Sequence, residues 1–448
     1  MKKTVGAFVK VGAISALAQS QAAGAQEPAK ADRRPPNVVL IMADDLGYHD
    51  LDCYGHPSIK TPVLDKLARD GIRLTSFYAG ATVCTPSRMA LLTGAYPARL
   101  GWTKGVIGYM IPTDTGLSPK ALTMAEVFRG GGYRTGIVGK WHLGERAPFL
   151  PTRLGFDEAF FIKSSNNMSR DLLRGEEVVE KSVQNRLLTE KFTREAVRFI
   201  KDNKARPFFL YLPYTAPHFP VEAHPDWKGK SAFGEYGDVV EEMDSRIGEV
   251  LAALEAEKLD RDTIVVFLSD NGPERRQQSQ AKPCRGLKWS ALEGGTRVPC
   301  IVRFPGVVPG GQVSDALVAA IDLLPTLGSA CGIDVEAVSK GRPVIDGVNV
   351  WPTLLGKKDK PHAREELLYW HGANGFQAIR VGDWKLFLNR RDAELEAPGE
   401  GPALFNLAQD VAETKDLSDK FPDRVRAMQE LAAKRLADIN KNIIPLGQ

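Results

Sequence analysis

Short, mostly apolar runs rich in β-branched residues recur along the chain, and each stops abruptly at polar residues. They span residues 37–42, 133–138, 208–212, 263–268 and 298–304. A run of this length is typical of a parallel strand that is covered on both faces. The pattern therefore predicts five strands of one buried sheet.

Helical patterns separate these runs. Residues 62–69 predict a helix that Gly71 closes, and Thr123 and Glu126 predict a capping box that opens a helix ending at residues 130–132. Between residues 239 and 254, apolar positions recur at helical spacing. Because strands and helices alternate, we expect an α/β protein with a large, mostly parallel sheet sandwiched by helices.

The pattern changes from about residue 344. Residues 367–370, 376–380 and 384–388 predict short antiparallel strands joined by turns that contain Gly and Asp. A final amphipathic helix follows, with its apolar face formed by Val425, Met428, Ala432, Leu436 and Ile439. We therefore expect a catalytic domain at residues 37–343 and a smaller C-terminal α+β domain at 344–448.

The first residues are typical of a secretory signal peptide. Lys2 and Lys3 precede a mostly apolar stretch that ends near Leu17, and small residues follow at positions 23–25. We expect a signal peptide at residues 1–25 and a linker at 26–36, hence an exported protein that is periplasmic or secreted. A disordered or helical N-terminus is the alternative. Since no other stretch could span a membrane, stable membrane insertion is not expected.

Composition and charge indicate the class of protein and exclude one kind of partner. The 448 residues are 43% hydrophobic and 25% charged, as in ordinary globular proteins. The formal charge of +4 falls to +1 without Lys2, Lys3 and Lys10 of the leader, so nucleic acid is not an expected partner. If Cys84 is used chemically, up to two disulfides remain open among the other four cysteines, Cys53, Cys284, Cys300 and Cys331.

Polar residues follow four of the predicted strands at their carboxyl ends, where open α/β sheets bind ligands. These residues are Asp44, Asp45, Lys140, His142, His218, Asp270 and Asn271. Any one of these residues could be an ordinary turn residue, but the whole set together indicates a ligand-binding site. The oxygen donors among them, Asp44, Asp45, Asp270 and Asn271, suit calcium better than magnesium, and the sequence has no zinc-type cluster of Cys and His.

A candidate reactive side chain, Cys84, lies in the stretch Cys84-Thr85-Pro86-Ser87-Arg88. Pro86 suits the first turn of a helix and Gly94 can end it, which places Cys84 at the helix N-terminus with Leu91 and Leu92 on a buried side. Backbone N–H groups favour an anion there, and Arg88 reaches back toward it. Taken alone, such a cysteine is more often a packed thiol or half of a disulfide.

The whole stretch, with Leu-Leu-Thr-Gly at residues 91–94, resembles the signature of type I sulfatases, in which this cysteine is converted to formylglycine. A second sulfatase signature is matched by residues 132–142, Gly-Tyr-Arg-Thr-Gly-Ile-Val-Gly-Lys-Trp-His. The resemblance implies an alkaline-phosphatase-like fold and a divalent cation, usually calcium, at the positions of Asp44, Asp45, Asp270 and Asn271. Formylglycine made from Cys84 would complete that metal site.

The resemblance also implies roles for two residues that would otherwise pass as a surface lysine and a loop histidine. Lys288 precedes a Glu-Gly-Gly-Thr-Arg-Val-Pro segment at residues 293–299 that is similar to the one following the substrate-binding lysine of sulfatases. His218 matches a substrate-site histidine. In the implied mechanism a hydroxyl of hydrated formylglycine attacks sulfur while His218 or Lys288 protonates the leaving alcohol. His142 then takes a proton from the second hydroxyl, so sulfate leaves.

Charge counting is consistent with a sulfate ester. The three Asp carboxylates balance Arg88, Lys140 and Lys288, so a divalent cation leaves a net charge of about +2 for the anionic substrate. We therefore expect a sulfatase that acts on sulfated carbohydrates or arylsulfates and needs a formylglycine-generating maturation enzyme. The alternatives are a phosphodiesterase or phosphonate monoester hydrolase of the same superfamily, or a sulfated-glycan-binding protein without activity if Cys84 is unmodified.

Overall fold

The computed structural model describes residues 34–342, 344–356, 364–394 and 400–448. The predicted signal peptide and most of the linker lie outside these residues. Residues 35–448 form one compact unit. Among the described residues, no helix combines the length and apolarity that crossing a bilayer requires.

The described strands comprise a large sheet, a C-terminal sheet and two small pairs. They are β1 (Asn37–Ala43), β2 (Ile72–Leu74), β3 (Phe77–Tyr78), β4 (Val106–Ile107), β5 (Met110–Ile111), β6 (Arg134–Lys140), β7 (Glu158–Ile162), β8 (Leu172–Arg174), β9 (Glu177–Glu180), β10 (Phe208–Pro213), β11 (Thr263–Ser269), β12 (Cys300–Arg303), β13 (Gln312–Ser314), β14 (Val318–Ala319), β15 (Glu366–His371), β16 (Gly375–Val381), β17 (Trp384–Phe387) and β18 (Ala403–Asn406).

The helices lie between these strands and at the C-terminus. They are α1 (Pro62–Arg69), α2 (Cys84–Thr93), α3 (Met124–Gly130), α4 (Leu188–Asn203), α5 (Gly234–Ala256), α6 (Glu293–Thr296), α7 (Leu323–Ala330), α8 (Val335–Ser339), α9 (Trp351–Leu354) and α10 (Pro422–Lys441). Short 3₁₀ helices occur at Asp52–Tyr54, Pro97–Leu100, Ala147–Phe149, Pro151–Arg153, Asn185–Leu187, Asp260–Asp262, Ala320–Asp322 and Arg390–Ala393.

The large sheet has the strand order β13-β2-β12-β11-β1-β10-β6-β7-β8-β9. Its centre, β11-β1-β10-β6-β7, is parallel. The strands β12, β8 and β9 introduce antiparallel pairs toward both edges. All five predicted strands are present, and the mostly parallel α/β fold class is confirmed. The run at 298–304 is the exception in direction, because β12 is antiparallel to β11.

Alternate residues of the central strand β1 feed two separate cores. Val38, Leu40 and Met42 pack into one core with α2, α3, α7 and the C-terminal sheet. Val39 and Ile41 pack into the other with α1, α4 and α5. A strand that is apolar at every position is therefore explained by helices on both faces of the sheet.

The predicted C-terminal antiparallel sheet is confirmed, with the order β15-β16-β17-β18. Its fourth strand, β18, was not predicted as a strand. Helix α10 buries Val425, Met428, Ala432 and Ile439 in the same core as this sheet. The proposed boundary at residues 343 and 344 stays a prediction, although an ion pair between Arg364 and Asp322, 2.6 Å apart, crosses it.

Helix α2 differs from the prediction in one respect. It begins at Cys84 and its last residue is Thr93, followed by the C-cap Gly94, which has the left-handed φ of 66° that favours glycine. However, every residue from Cys84 to Thr93 is buried, not only the side that carries Leu91 and Leu92. The polar residues of this helix hydrogen-bond to neighbouring loops instead of facing solvent, so it is a core element that holds polar side chains inside the protein.

Candidate active site

Three loops leave the carboxyl edge of the large sheet side by side. The backbone N–H of Tyr214 donates to Met42 O at 2.9 Å, and that of Asp44 donates to Ala216 O at 3.0 Å. On the other side of β1, Asp270 N donates to Ala43 O at 3.1 Å. Because these bonds continue the sheet beyond its strands, the side chains that follow β1, β10 and β11 are held close together.

Asp44 is the carboxylate next to Cys84. It is fully buried and accepts hydrogen bonds from Lys140 Nζ at 2.6 Å and from the Cys84 thiol at 3.5 Å. The guanidinium of Arg88 lies 3.5 Å away. Burial alone would raise the pKa of Asp44, but Lys140, His218 and Arg88 hold it well below its usual range. Asp44 is therefore a buried carboxylate in its charged form.

Asp45 occupies the neighbouring position with a left-handed φ of 64°, a conformation that Asp tolerates better than most residues. Lys288 Nζ lies 2.8 Å from its carboxylate, and Asn271 Nδ2 donates to Oδ1 at 2.7 Å. His218 Nε2 lies 3.5 Å from Oδ2. The backbone turn thus directs two consecutive carboxylates to different partners within one site.

Asp270 links the loop after β11 to helix α2. Its Oδ1 accepts from Asp45 N at 3.1 Å, and its Oδ2 accepts from both Nε and Nη2 of Arg88, at 3.1 and 2.8 Å. Ser87 Oγ also donates to Asp270 O. Burial and the nearby Asp44 raise the pKa of Asp270 to about 7, against the effect of Arg88. Three carboxylates at this spacing favour a cation.

A metal ion would find several ligand atoms already gathered. Asp44, Asp45, Cys84 and His218 each offer one atom, and these four atoms lie within 4.8 Å of one another. Asn271 adds an observation from outside that group: its Oδ1 is buried and makes no hydrogen bond to the residues that the structure describes. A buried amide oxygen without a partner is costly unless a ligand satisfies it. The carboxylates and this oxygen fit a hard divalent cation.

Cys84 lies at the N-terminus of α2, 2% exposed. Burial raises the pKa of its thiol far above the usual value, although Lys140 and Lys288 oppose the shift. In its unmodified form this side chain is therefore a neutral thiol. A neutral thiol is a poor nucleophile, because the thiolate is the reactive species of cysteine.

His142 is positioned from two sides. Its Nε2 lies 3.0 Å from Ile107 O and so acts as the donor, while its buried Nδ1 makes no hydrogen bond within the described residues. Thr85 Oγ1 donates to His142 O at 3.1 Å and accepts from Ile107 N at 3.2 Å. Burial and then Lys140 and Arg88 lower the pKa of His142 well below its usual value. The imidazole is therefore neutral, with Nδ1 available to accept a proton.

Ser165 lies between Lys140 and His218, and it was not among the site residues predicted from the sequence. Its Oγ accepts from Lys140 Nζ at 3.2 Å and lies 3.4 Å from His218 Nε2. Nδ1 of His218 donates to Phe219 O at 2.6 Å. Burial lowers the pKa of His218 to about 4, although Asp45 opposes this. The signal for Ser165 was present, because a polar run follows the apolar strand β7 at the same sheet edge.

Lys288 is buried, not a surface lysine, with 5% of its area exposed. Its backbone N–H donates to Pro273 O at 2.9 Å, so its segment lies against the loop after β11. A Cβ on Gly272 would lie 1.9 Å from Gly294 O, so only glycine allows this approach. The Gly-Gly pair at 294–295 therefore belongs to the packing that holds Lys288 beside Asp45.

A cavity of about 360 Å³ opens onto these residues. Cys84, His142, His218 and Lys288 line it, so the structure brings these predicted residues to one accessible space. The other lining residues were not predicted: Val106, Gly108, Tyr109, Met110, Ser165, Asn167, Met168, Phe219, Glu274, Arg276, Trp289 and Ala373. Most belong to loops without periodic pattern, so the sequence offered little signal for them.

The five cysteines are all free thiols. The disulfides that the sequence left open among Cys53, Cys284, Cys300 and Cys331 are therefore not formed. Cys284, Cys300 and Cys331 are buried and Cys53 is half-buried. They pack as small apolar residues.

Comparisons with known proteins agree over most of the chain. The family model described as Sulfatase matches residues 36–333. Arylsulfatase A of Homo sapiens is 33% identical, over 89% of this chain and 87% of the relative. N-acetylgalactosamine-6-sulfatase of Rattus norvegicus is 35% identical, over 79% and 72%. A solved structure on the metabolism of multiple glycosaminoglycans by Bacteroides thetaiotaomicron has a TM-score of 0.77 and 29% identity, covering 90% of this chain and 99% of its own.

Proposed function

Because the chain belongs to the sulfatase family and is a sulfuric ester hydrolase, we propose that it releases sulfate from sulfated carbohydrates with a formylglycine made from Cys84 and a bound divalent cation. The observation that carries this proposal is the group of ligand atoms from Asp44, Asp45, Cys84 and His218 within 4.8 Å of one another, beside a cavity. The Cys-Thr-Pro-Ser-Arg stretch at residues 84–88 supports the modification.

Asp44, Asp45, Asp270 and Asn271 would hold the cation, together with the side chain at position 84. The hard oxygen donors favour calcium, with magnesium as the alternative, and so does Asn271 Oδ1, which has no partner in the described part of the chain. Bound there, a divalent cation would supply positive charge that the site otherwise lacks, because Arg88, Lys140 and Lys288 only balance the three carboxylates. Formylglycine would supply, in its hydrated form, the hydroxyl that attacks sulfur.

The surrounding side chains have separable tasks. Arg88, Lys140 and Lys288 are fixed cations that stabilise negative charge developing on the sulfate oxygens. One preorganised donor contributes about 2.7–4 kcal/mol, whereas enzymes generally lower barriers by about 8–23 kcal/mol, so several converging cations are needed. His142 Nδ1 is available to accept a proton. His218 or Lys288 would protonate the departing alcohol.

A sulfated carbohydrate is the substrate class that the relatives favour. One is named for N-acetylgalactosamine-6-sulfate, and one structural neighbour is described in glycosaminoglycan metabolism. Arylsulfates are a second class, as the name of arylsulfatase A indicates. We further propose export to the periplasm or medium, on the basis of residues 1–25, and maturation by a formylglycine-generating enzyme.

The test combines mass spectrometry with kinetics. The protein is produced together with a formylglycine-generating enzyme, and the peptide containing Cys84 is weighed; conversion replaces the thiol by an aldehyde of lower mass. Turnover is measured on nitrophenyl sulfate, a sulfated N-acetylhexosamine and a nitrophenyl phosphodiester. We expect conversion at Cys84 and a preference for the sulfate esters.

Cys84→Ala should abolish turnover, whereas Cys53→Ala, which alters a half-buried thiol, should leave it intact. Retained activity in Cys84→Ala would exclude the proposed nucleophile. A clear preference for the phosphodiester would favour the phosphodiesterase or phosphonate hydrolase alternative. Binding of the sulfated sugar without turnover, with Cys84 unconverted, would favour the binding-protein alternative.

A further inference from the structure

The cavity is larger than a sulfate group requires. Its volume of about 360 Å³ lies in the range of pockets that enclose whole small ligands, about 300–1,000 Å³. Cys84, His142, His218 and Lys288 account for only part of its lining. The rest of the cavity therefore receives the alcohol portion of the ester, and its chemistry indicates what that portion carries.

One part of this lining is apolar. The Tyr109 and Trp289 rings contact edge-to-face with centroids 5.9 Å apart. Tyr109 is 58% exposed and Met168 42%, placing them among the most exposed large apolar side chains of the described residues. Exposed apolar surface concentrated at a cavity marks a binding surface. It suits the C–H face of a sugar ring, as aromatic side chains suit apolar ring faces generally.

Another part carries a charge that the protein leaves uncompensated. The Arg276 guanidinium lies over the Phe219 ring, 5.0 Å from its centroid, and Phe219 stacks on His218 at 4.7 Å. No acidic side chain in the described ranges lies within ion-pairing distance of Arg276. The nearby acid Glu274 instead faces Lys288, with 3.9 Å between Oε2 and Nζ. Arg276 is thus held at the cavity with its hydrogen-bond donors available.

The net charge around the cavity also indicates a substrate with a second negative charge. With the proposed divalent cation, the metal-binding residues and their three cationic partners sum to about +2. Adding the negative charge of Glu274, which faces Lys288, and the positive charge of Arg276 keeps this total at about +2. A sulfate monoester brings one negative charge, so one positive charge stays unmatched. A second anionic group on the substrate would balance it, and Arg is the side chain best suited to bind a carboxylate or sulfate with two parallel hydrogen bonds.

We propose that Arg276 determines specificity by binding a second anionic group, a carboxylate or a second sulfate, on the sugar whose sulfate is removed. This inference rests on the proposed function, because it assumes that the cavity holds a sulfated carbohydrate. The sugar ring lies against Tyr109 and Trp289, and its second charge reaches Arg276. The site therefore selects acidic saccharides over saccharides with a single sulfate.

The experiment compares three substrates that share one sulfated hexosamine: the monosulfated sugar, its disulfated form, and a disaccharide in which it is linked to a uronic acid. For the wild-type protein we expect kcat/KM to be at least about tenfold higher for one or both dianionic substrates. Which of them is favoured identifies sulfate or carboxylate as the second group. Arg276→Gln should remove that preference, because the loss of kcat/KM falls mainly on the dianionic substrates and is expressed in KM.

The adjacent Arg275 provides the matched control. It is also exposed, and it does not line the cavity, so Arg275→Gln makes the same change in charge one residue away. We expect this variant to keep the preference. The inference is wrong if the wild type favours the monosulfated sugar, if Arg276→Gln leaves the ratio unchanged, or if it lowers kcat/KM equally for all three substrates. Absence of turnover on every sulfate ester would instead overturn the proposed function.

Discussion

At the scale of single residues, the site is a set of buried charges that compensate one another. Asp44 pairs with Lys140, Asp45 with Lys288, and Asp270 with Arg88. Buried ions are tolerated only when paired and hydrogen-bonded, since desolvation of each costs several kcal/mol. The polar atoms left over are therefore informative. Asn271 Oδ1 and His142 Nδ1 are two buried atoms without partners among the described residues.

The first prediction concerns Asn271. Asn271→Leu removes the unpartnered oxygen, so we expect divalent-cation affinity to fall at least about tenfold. The measurement is calorimetric titration of calcium into metal-free protein, which reports binding independently of catalysis. Asn203→Leu is the control, because Asn203 is a buried asparagine outside the site, at the end of α4, where its Nδ2 donates to Phe199 O. Equal calcium affinity in wild type and Asn271→Leu would contradict the assignment of Asn271.

At the scale of elements, helix α1 shows how a distant side chain can replace a local cap. The N-cap residue Thr61 makes no capping hydrogen bond with its side chain. Instead Asp244, on α5, accepts from Val63 N at 3.0 Å and from Leu64 N at 2.8 Å. These are the N–H groups that a helix leaves unsatisfied at its start. Asp244 thereby joins two helices on the same face of the sheet.

The second prediction follows from this contact. Burial raises the pKa of Asp244 from 3.8 to about 7, although the two backbone N–H groups oppose it. The folded protein therefore holds a proton that the unfolded chain releases, and the stability from this group is lost as pH rises from about 4 to 7. The slope is at most about 1.4 kcal/mol per pH unit. Urea unfolding of Asp244→Asn between pH 4 and 8 should show a smaller fall in stability than the wild type.

The quantity to compare is the slope of the free energy of unfolding against pH. The absolute value of that free energy is not informative, because Asp244→Asn also changes one capping hydrogen bond and so shifts stability at every pH. The exposed Asp423→Asn serves as the control and should follow the wild-type curve. Parallel curves for Asp244→Asn and wild type would show that Asp244 is charged in the folded protein throughout this range.

The sequence predicted the elements better than the contacts between them. The runs ending at Asp44, His142 and Asp270 predicted both the strands and the edge where polar residues meet, because a parallel sheet fixes that edge by topology alone. Ser165 was missed although a polar run after β7 marks its position, since its contacts are with side chains distant in sequence. Arg276 was missed because its loop has no periodic pattern. Asp244 was hidden for the same reason: its helix was predicted, but its carboxylate is defined by α1, some 180 positions away.

At the scale of the whole molecule, the C-terminal sheet and the catalytic region share a buried ionic network. Lys385 on β17 has its Nζ 3.0 Å from Glu293 Oε1 and 2.8 Å from Glu413 Oε1, and all three side chains are fully buried. Glu413 Oε2 also accepts from Glu293 N at 2.7 Å. Since Glu293 follows Lys288 by five residues, the C-terminal sheet helps to fix the segment that carries this lysine.

The third prediction uses this network to ask whether the catalytic and C-terminal regions unfold together. Lys385→Met leaves the buried Glu413 without its cation and removes one cation from Glu293, so we expect a loss of about 3–5 kcal/mol in the free energy of unfolding. Glu293 keeps an ion pair with Arg297 at 3.5 Å. The double variant Lys385→Met with Glu413→Gln should recover part of this loss, because it buries one charge fewer. If the regions are one cooperative unit, tryptophan fluorescence and loss of activity will report a single urea transition that shifts as a whole. The seven tryptophans report on both regions, because four lie before residue 343 and three, Trp351, Trp370 and Trp384, lie after it. Two separate fluorescence transitions, only one of which coincides with the loss of activity, would instead show that the two regions unfold as separate domains.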